Sequence, residues 1–211
     1  RFKEAELVLK NAKIINVFTN EIITGDIAIE DGMIVGIGNY EGKQEHDMTG
    51  KYVCPGFIDS HLHLESTLVT PKELVTVASR HGTTTFIVDP HESANVSGLA
   101  GINYILDQTE DASANVFVMM PSCVPATSID DNGCTLTAED MTQYLDNERV
   151  LGLGEVMDYI SVVNADPGMH RKLDLFKDKV RDGHAPFLAE EDLFAALTEY
   201  CWHFFPQEAV L

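Results

Sequence analysis

The chain has 211 residues, of which 45% are hydrophobic, so it can bury a large core and is not disordered as a whole. Acidic residues number 34 against 14 basic ones, and the formal net charge of -20 argues against a nucleic-acid partner, which needs a basic surface. The four cysteines are scattered without a Cys-x-x-Cys pair, and no apolar run approaches the roughly 20 residues of a membrane span, so we expect a cytoplasmic protein without membrane contact.

The first 50 residues have a β-strand pattern. Short runs rich in β-branched residues alternate with Asn and Gly, and the dipeptide Asp31-Gly32 between two apolar runs predicts a hairpin. No cluster of catalytic residue types lies in this stretch. We therefore predict that residues 1–50 form a small antiparallel β-sandwich portion.

After Gly50 the pattern changes to strands that alternate with helices. Thr70, Pro71 and Glu73 predict a capping-box start for the first helix. Near-continuous apolar strands followed by helices indicate parallel βα units, so residues 51–211 are interpreted as a partial (β/α) TIM-like barrel. Strands are predicted at 52–58, 83–89, 116–120, 150–155 and 180–184, and helices at 71–80, 98–110, 137–146 and 167–177.

Polar residues of catalytic or metal-binding types lie at or just after the C-terminal ends of the predicted barrel strands. In a (β/α) barrel the C-terminal ends of the strands form the face on which active sites are built. The repetition at five strands therefore predicts a functional site at this face. The residues are His61, His63 and Glu65; Asp89, His91 and Glu92; Ser122 and Cys123; Glu155; and Asp182 and His184.

The histidines of this set suggest a metal centre. His61 and His63 are two residues apart on a strand, so their side chains project to the same side. Together with Glu155 and His184 they would give a mixed nitrogen and oxygen ligand set, which suits zinc, manganese or iron(II). A carboxylate such as Glu155 can bridge two cations that activate a water molecule for nucleophilic attack.

Several other residues leave more than one interpretation open. Residues 89–92 can bind another ion, support the metal ligands or contact substrate, with a simple turn as the non-functional alternative. Glu65 either orients a histidine or carries a proton, and we assign Glu65 and Glu155 to catalysis. Cys123 is interpreted as a buried apolar residue. We assign Asp89, His91, Glu92 and Ser122 to substrate binding.

Six stretches carry a resemblance to a known family: residues 55–66, 82–85, 89–96, 120–127, 152–157 and 182–186. The His-x-His pair alone indicates the metal-dependent amidohydrolase superfamily. Asp-Pro-His-Glu and Pro-Ser-Cys-Val-Pro-Ala-Thr narrow the resemblance to its adenine deaminases. The resemblance implies a β-sandwich fused to a (β/α)8 barrel, and hydrolysis of adenine to hypoxanthine and ammonia in purine salvage. It also implies a two-metal site, with manganese or iron and zinc as an alternative, bound by His61, His63, Glu155 and His184.

The chain also departs from the adenine deaminases that it resembles. Such enzymes are more than twice as long, and their later barrel strands supply a further histidine ligand and an aspartate that handles protons. We therefore expect a barrel truncated after about five βα units, and residues 187–211 lose the continuation typical of the family. Five parallel strands leave an open edge, so we expect a homo-oligomer or a partner that completes the barrel around the purine substrate.

Two other functions stay open at this point. One is a cyclic amidohydrolase that is similar to dihydroorotases or hydantoinases. The other is a truncated, non-catalytic barrel fragment that retains some affinity for metal. A panel of aminopurines and cyclic amides separates an adenine deaminase from a cyclic amidohydrolase, and bound metal without turnover indicates a non-catalytic fragment.

Overall fold

The computed structural model describes residues 4–184, and the predicted features of residues 187–211 lie outside this range. The chain divides into two compact units, Arg1–Gly56 and Phe57–Leu211. Among the helices of residues 4–184, none combines the length and apolar character that crossing a bilayer requires.

The first unit contains one five-stranded mixed sheet with the strand order β3-β2-β1-β4, in which β5 also pairs with β1. The predicted antiparallel pairing is found for β1, β2 and β3 but is wrong for β4 and β5, which run parallel to β1. After the β2–β3 hairpin the chain crosses to the other edge of β1 and then runs in the same direction as β1. The strands are β1 (Ala5–Asn16), β2 (Glu21–Glu30), β3 (Met33–Gly38), β4 (Gly42–Asp47) and β5 (Tyr52–Val53).

Two backbone features shape this sheet. The predicted hairpin at Asp31-Gly32 is confirmed: it joins β2 to β3, and the φ angles of 51° and 73° are those that a tight hairpin turn requires. Within β1 the register shifts between Leu9 and Ala12, where Asn11 has a φ of 58°. This bulge interrupts the apolar pattern of β1 and bends the strand.

The second unit contains five parallel strands in the order β10-β9-β8-β7-β6, which confirms the predicted partial (β/α) barrel. The predicted first barrel strand, 52–58, is divided between the two units. Pro55 has no N–H to donate to a sheet, and the second unit's first strand begins only at Phe57. The strands are β6 (Phe57–Leu62), β7 (Thr83–Val88), β8 (Asn115–Pro121), β9 (Val150–Val156) and β10 (Val180–Gly183).

Six α-helices of the second unit lie in the described range, and four of them correspond to predicted helices. The Thr70 side chain makes no cap hydrogen bond, so the predicted capping box at the first helix is wrong, although Pro71 does begin this helix. Thr137 and Asp140 do form a capping box. The helices are α1 (Pro71–Ser79), α2 (His91–Ser97), α3 (Leu99–Gln108), α4 (Ala138–Met141), α5 (Tyr159–Val163) and α6 (Pro167–Leu175), of which α2 and α5 were not predicted.

The main core of the second unit joins the parallel sheet to its helices. Phe86 of β7 and Leu153 of β9 are buried together with Ile102 of α3 and Leu173 of α6. Leu64, which follows β6, is also fully buried in this cluster. Because the core fixes β6, β7 and β9 relative to one another, it also fixes the residues that follow these strands.

Candidate metal centre

Four histidines surround the carboxylate of Glu155 at the C-terminal ends of the parallel strands. Glu155 lies near the end of β9, and His61 lies near the end of β6. His63 follows β6, His184 follows β10, and His91 is the first residue of α2. The structure therefore brings together the four residues predicted as metal ligands and adds His91, which was assigned to substrate binding.

The histidines divide between the two oxygens of Glu155. Three approach Oε1, through His61 Nε2 at 2.6 Å, His184 Nε2 at 3.1 Å and His63 Nε2 at 3.3 Å. His91 Nδ1 lies 3.0 Å from Oε2. The carboxylate thus has a three-histidine side and a separate side that faces His91.

The orientation of His63 is fixed by the main chain. Its Nδ1 lies 2.7 Å from the carbonyl oxygen of Asp89, so Nδ1 carries the hydrogen and donates it. In the neutral ring Nε2 then has a free lone pair, and this lone pair faces Nε2 of His61 at 3.2 Å. A histidine held in this way by a carbonyl is the usual arrangement for a metal ligand.

Glu155 itself is held in a strained backbone conformation. Its φ of 35° lies in the left-handed region, which costs a residue other than glycine about 1–2 kcal/mol. The Glu155 N–H donates to Asp182 Oδ1 at 2.9 Å, and the Ser122 hydroxyl donates to the Glu155 carbonyl at 2.8 Å. These two bonds hold the peptide on both sides and aim the carboxylate at the histidines.

The charged groups of the cluster shift one another's pKa values. Burial acts to raise the pKa of Glu155, but the neighbouring His63, His91 and His184 rings outweigh burial and lower the pKa. Glu155, as the main cause, raises the pKa of His63 to about 9. Asp89 first and Glu155 second raise the pKa of His91 to about 10. Protons on the histidines thus balance the buried carboxylate, and a bound cation would replace them.

The residues fit a divalent cation. Two sets of three residues each bring one ligand atom per residue to within 4.8 Å of the other two. The sets are His61, His63 and Glu155, and Asp89, His91 and Glu155. Ring nitrogens and carboxylate oxygens together suit zinc, manganese or iron(II). Oε2 of Glu155 and Nδ1 of His91 are buried without a hydrogen-bond partner, as expected for atoms arranged to bind an ion.

The remaining predicted site residues lie around this cluster. Glu65 Oε1 accepts hydrogen bonds from the backbone N–H groups of Glu92 (3.2 Å) and Ser93 (3.3 Å), so Glu65 supports the first turn of α2. Glu92 is exposed and accepts a hydrogen bond from Ser66. Ser122 and Cys123 are both buried, with 1% and 5% of their surfaces exposed.

Two supporting contacts were missed by the sequence reasoning. Asp182, noted only as a polar residue at a strand end, is the acceptor for the Glu155 N–H. Its position within the fifth predicted strand, 180–184, was the one available signal. The carbonyl of Asp89, which orients His63, belongs to the main chain, so no pattern of side chains indicates it.

The chain is similar in sequence to a known enzyme family and to curated adenine deaminases. Residues 52–198 match the Amidohydrolase family. The adenine deaminase of Desulfitobacterium hafniense (strain Y51) is 60% identical over 193 residues, which is 92% of this chain and 34% of that protein. The adenine deaminase of Clostridium acetobutylicum is 51% identical over 195 residues, again 92% of this chain and 34% of that protein. The chain thus spans about a third of the length of these curated relatives.

Solved structures share the fold at low sequence identity. An amidohydrolase from an environmental sample of the Sargasso Sea has a TM-score of 0.63 at 13% identity, over 93% of this chain and 56% of that one. An N-acyl-D-glutamate deacylase from Bordetella bronchiseptica, complexed with zinc and a phosphonate inhibitor, has a TM-score of 0.58 at 16% identity, over 92% of this chain and 49% of that one. The five parallel strands of the described range confirm the amidohydrolase-type (β/α) barrel fold predicted from the sequence, and the chain belongs to the amidohydrolase family.

Proposed function

We propose that this chain forms the metal-binding part of a hydrolase that deaminates adenine to hypoxanthine and ammonia. The observation that carries the proposal is the convergence of three histidine nitrogens on Oε1 of the buried Glu155. The choice of adenine rests on the relatives, because the adenine deaminase of D. hafniense is 60% identical over 92% of this chain. Since the chain spans 34% of that relative, the complete activity is proposed for the complete barrel.

The residues would divide the work as follows. His61, His63, His184 and Glu155 would hold a divalent metal, with manganese or iron favoured and zinc as an alternative for this ligand set. When bound, the metal lowers the pKa of water so that it loses a proton near neutral pH. Asp182 and Ser122 keep the Glu155 carboxylate aimed at this place, and the Asp89 carbonyl keeps Nε2 of His63 free for the metal.

The burial of the other predicted residues bears on how substrate would be bound. Asp89 and Ser122 are 2% and 1% exposed, so supporting positions suit them better than direct contact with a purine. Glu92 is exposed, and we keep it as a substrate contact. We also propose that a partner or a second copy of the chain completes the purine-binding surface, and that the assembly acts in purine salvage in the cytoplasm.

Ammonia release from adenine tests the proposal. The full chain, loaded with manganese, is incubated with adenine beside the double variant His61→Ala/His63→Ala and the control His81→Ala, which changes an exposed histidine. We expect release by the wild type and by the control, and no release by the double variant. Equal release by the wild type and the double variant would contradict the proposal.

A substrate panel separates the other functions. Dihydroorotate and hydantoin are cyclic amides, and turnover of either one in place of adenine would favour a cyclic amidohydrolase. Manganese bound by the wild type, lost in the double variant and accompanied by no turnover of any substrate would favour a non-catalytic barrel fragment.

A further inference from the structure

A lysine outside the metal centre is connected to it through two consecutive hydrogen bonds. Lys172 lies in the last turn of α6 and is partly buried, and this burial lowers the pKa of its amine. Its Nζ donates to the carbonyl oxygen of Ser122 at 2.6 Å. Placing an ammonium group away from water costs free energy unless the group is hydrogen-bonded, so the acceptor that Lys172 contacts is the important one.

The carboxylates whose charges act on Lys172 are engaged elsewhere. Each of the three accepts a backbone N–H at the start of its own helix: Asp140 at α4, Asp158 at α5 and Asp166 at α6. The ammonium group is instead directed to a carbonyl oxygen. A hydrogen bond from a charged donor is roughly twice as strong as one between neutral groups, so Lys172 holds Ser122 firmly.

Ser122 in turn contacts both peptide groups that flank Glu155. Its N–H donates to the Gly154 carbonyl at 3.3 Å, and its hydroxyl donates to the Glu155 carbonyl at 2.8 Å. The relative rotation of these two peptide groups includes the φ of 35° at Glu155. A strained conformation persists only where the surrounding contacts impose it. Ser122 therefore connects Lys172 of α6 to the strained backbone that orients the Glu155 carboxylate.

We propose that Lys172 is a positioning residue for the metal centre. By holding the Ser122 carbonyl, it keeps the Ser122 hydroxyl on the Glu155 carbonyl and so keeps the carboxylate directed towards the surrounding histidines. Lys172 acts through Ser122 and is not itself a metal ligand. The inference rests on the proposed function, because it treats Glu155 as a metal ligand, and it adds α6 to the elements that determine metal affinity.

A purely structural role for Lys172 is the alternative, since the same hydrogen bond attaches α6 to the chain directly after β8. In that case replacing Lys172 would loosen α6, but its effect on metal binding would not depend on the Ser122 hydroxyl. A double-mutant cycle separates the two roles, because residues that act through one another have non-additive effects.

The cycle is measured as Mn²⁺ affinity, by isothermal titration calorimetry of the chelator-stripped full chain. Lys172→Met keeps a long side chain but removes the donor, whereas Lys172→Arg keeps a charged donor. Ser122→Ala and the double variant Ser122→Ala/Lys172→Met complete the cycle. The matched control is Lys177→Met, which changes an exposed lysine just after α6. Hydrogen exchange of α6 and β9 establishes that each variant is folded.

We expect Lys172→Met to bind Mn²⁺ about tenfold more weakly than the wild type, at the lower end of the roughly 10- to 100-fold loss caused by replacing residues that orient metal ligands. Lys172→Arg should recover most of this loss, and Lys177→Met should bind as the wild type does. Ser122→Ala should lose at least as much affinity as Lys172→Met. The double variant should then bind nearly as Ser122→Ala does.

Unchanged Mn²⁺ affinity in a folded Lys172→Met would overturn the inference. Losses from the two substitutions that multiply in the double variant would overturn it as well, because Lys172 would then act independently of the Ser122 hydroxyl. Should Lys172→Met not fold, Lys172→Gln, which keeps a shorter neutral donor, takes its place in the cycle. A wild type that binds no Mn²⁺ would overturn the proposed function together with the inference, so the two failures can be told apart.

Discussion

Each unit of the molecule buries an aspartate, and the two aspartates differ in their partners. Asp26 in the first unit is 5% exposed and accepts hydrogen bonds from Lys10 Nζ at 2.7 Å, Asn11 N at 3.0 Å and Tyr40 N at 3.1 Å. Asp89 in the second unit is 2% exposed and accepts no hydrogen bond, and His91 Nδ1 lies 3.6 Å from its Oδ1. The first unit thus satisfies its buried charge within the fold, whereas the second leaves one available to a ligand.

The two units also share a backbone feature, which has a different role in each. In each unit a residue other than glycine has a left-handed φ, and its N–H is fixed by a carboxylate. Asn11 donates to Asp26 Oδ1 at 3.0 Å and Glu155 donates to Asp182 Oδ1 at 2.9 Å. At Asn11 this hydrogen bond stabilises a bulge in β1, whereas at Glu155 it orients a buried carboxylate towards four histidines.

The largest effect is expected at Glu155, which links both sides of the proposed centre. Glu155→Gln removes the negative charge shared by the histidines, so Mn²⁺ affinity should fall more than it does when a residue that only orients a metal ligand is replaced, which costs roughly 10- to 100-fold. Isothermal titration calorimetry of the chelator-stripped chain measures the Mn²⁺ affinity. The control Glu148→Gln changes an exposed carboxylate and should bind as the wild type does. Unchanged Mn²⁺ affinity in Glu155→Gln would contradict the view that the second unit keeps buried carboxylates for a ligand.

Exchanging each aspartate for asparagine tests the comparison directly in the chelator-stripped chain. Asp26→Asn replaces an acceptor of three hydrogen bonds with a neutral amide, so it should lower the free energy of unfolding of the first unit by about 1–3 kcal/mol. Asp89→Asn loses no hydrogen bond and removes a buried charge whose neighbouring cation, His91 Nδ1, lies 3.6 Å away, so it should destabilise the second unit less than Asp26→Asn destabilises the first. Hydrogen exchange of β1 and of β9 reports on each unit separately.

The opposite ranking would contradict the comparison. If Asp89→Asn destabilised the second unit more than Asp26→Asn destabilised the first, Asp89 would be a structural residue with partners inside the fold.

The sequence predicted the parts of this molecule that depend on side-chain patterns. Apolar runs followed by polar residues predicted the parallel strands, and the parallel order placed His61, His63, Glu155 and His184 at one edge, where the structure finds them. The pattern could not predict α2, because Asp89-Pro90 resembles a turn and the helix begins directly afterwards at His91.

Contacts of the main chain and polar strands escaped prediction for a physical reason. β4 has the sequence Gly-Lys-Gln-Glu-His-Asp and is held by backbone pairing with β1, so it carries no apolar alternation. The strained φ of Glu155 depends on Asp182, 27 residues further along the chain. Neither feature has a local signal, since the partners meet only after the sheets have formed.

A smaller effect is expected at Glu65, which connects the chain after β6 to the first turn of α2. Glu65→Ala removes the acceptor for two backbone N–H groups and should cost about 0.5–2 kcal/mol, with weaker protection of α2 in hydrogen exchange. Glu65→Gln keeps an acceptor oxygen and should retain most of this protection.

The glutamine variant also decides between the two interpretations of Glu65. If Glu65 supports α2, Glu65→Gln should keep both its metal content and its rate of ammonia release. A variant that keeps its metal and its α2 protection but loses ammonia release would show that Glu65 carries a proton instead.

The smallest effect is the acid sensitivity of the first unit. Burial acts to raise the pKa of Asp26, but the bonds from Lys10 and from the backbone of Asn11 and Tyr40 outweigh it, so the pKa lies below its usual 3.8. A carboxyl group with a lowered pKa in the folded state stabilises the fold above its unfolded pKa, and this contribution is lost as the pH falls through the folded pKa.

The stability advantage of the wild type over Asp26→Asn should thus be constant from pH 7 to 5 and shrink below about pH 3.8. Urea unfolding of both proteins at each pH measures the difference, in which the titration of other carboxyl groups cancels. A difference that stays constant into strong acid would mean that Asp26 does not depend on its charge, and the two buried aspartates would then differ less than their partners suggest.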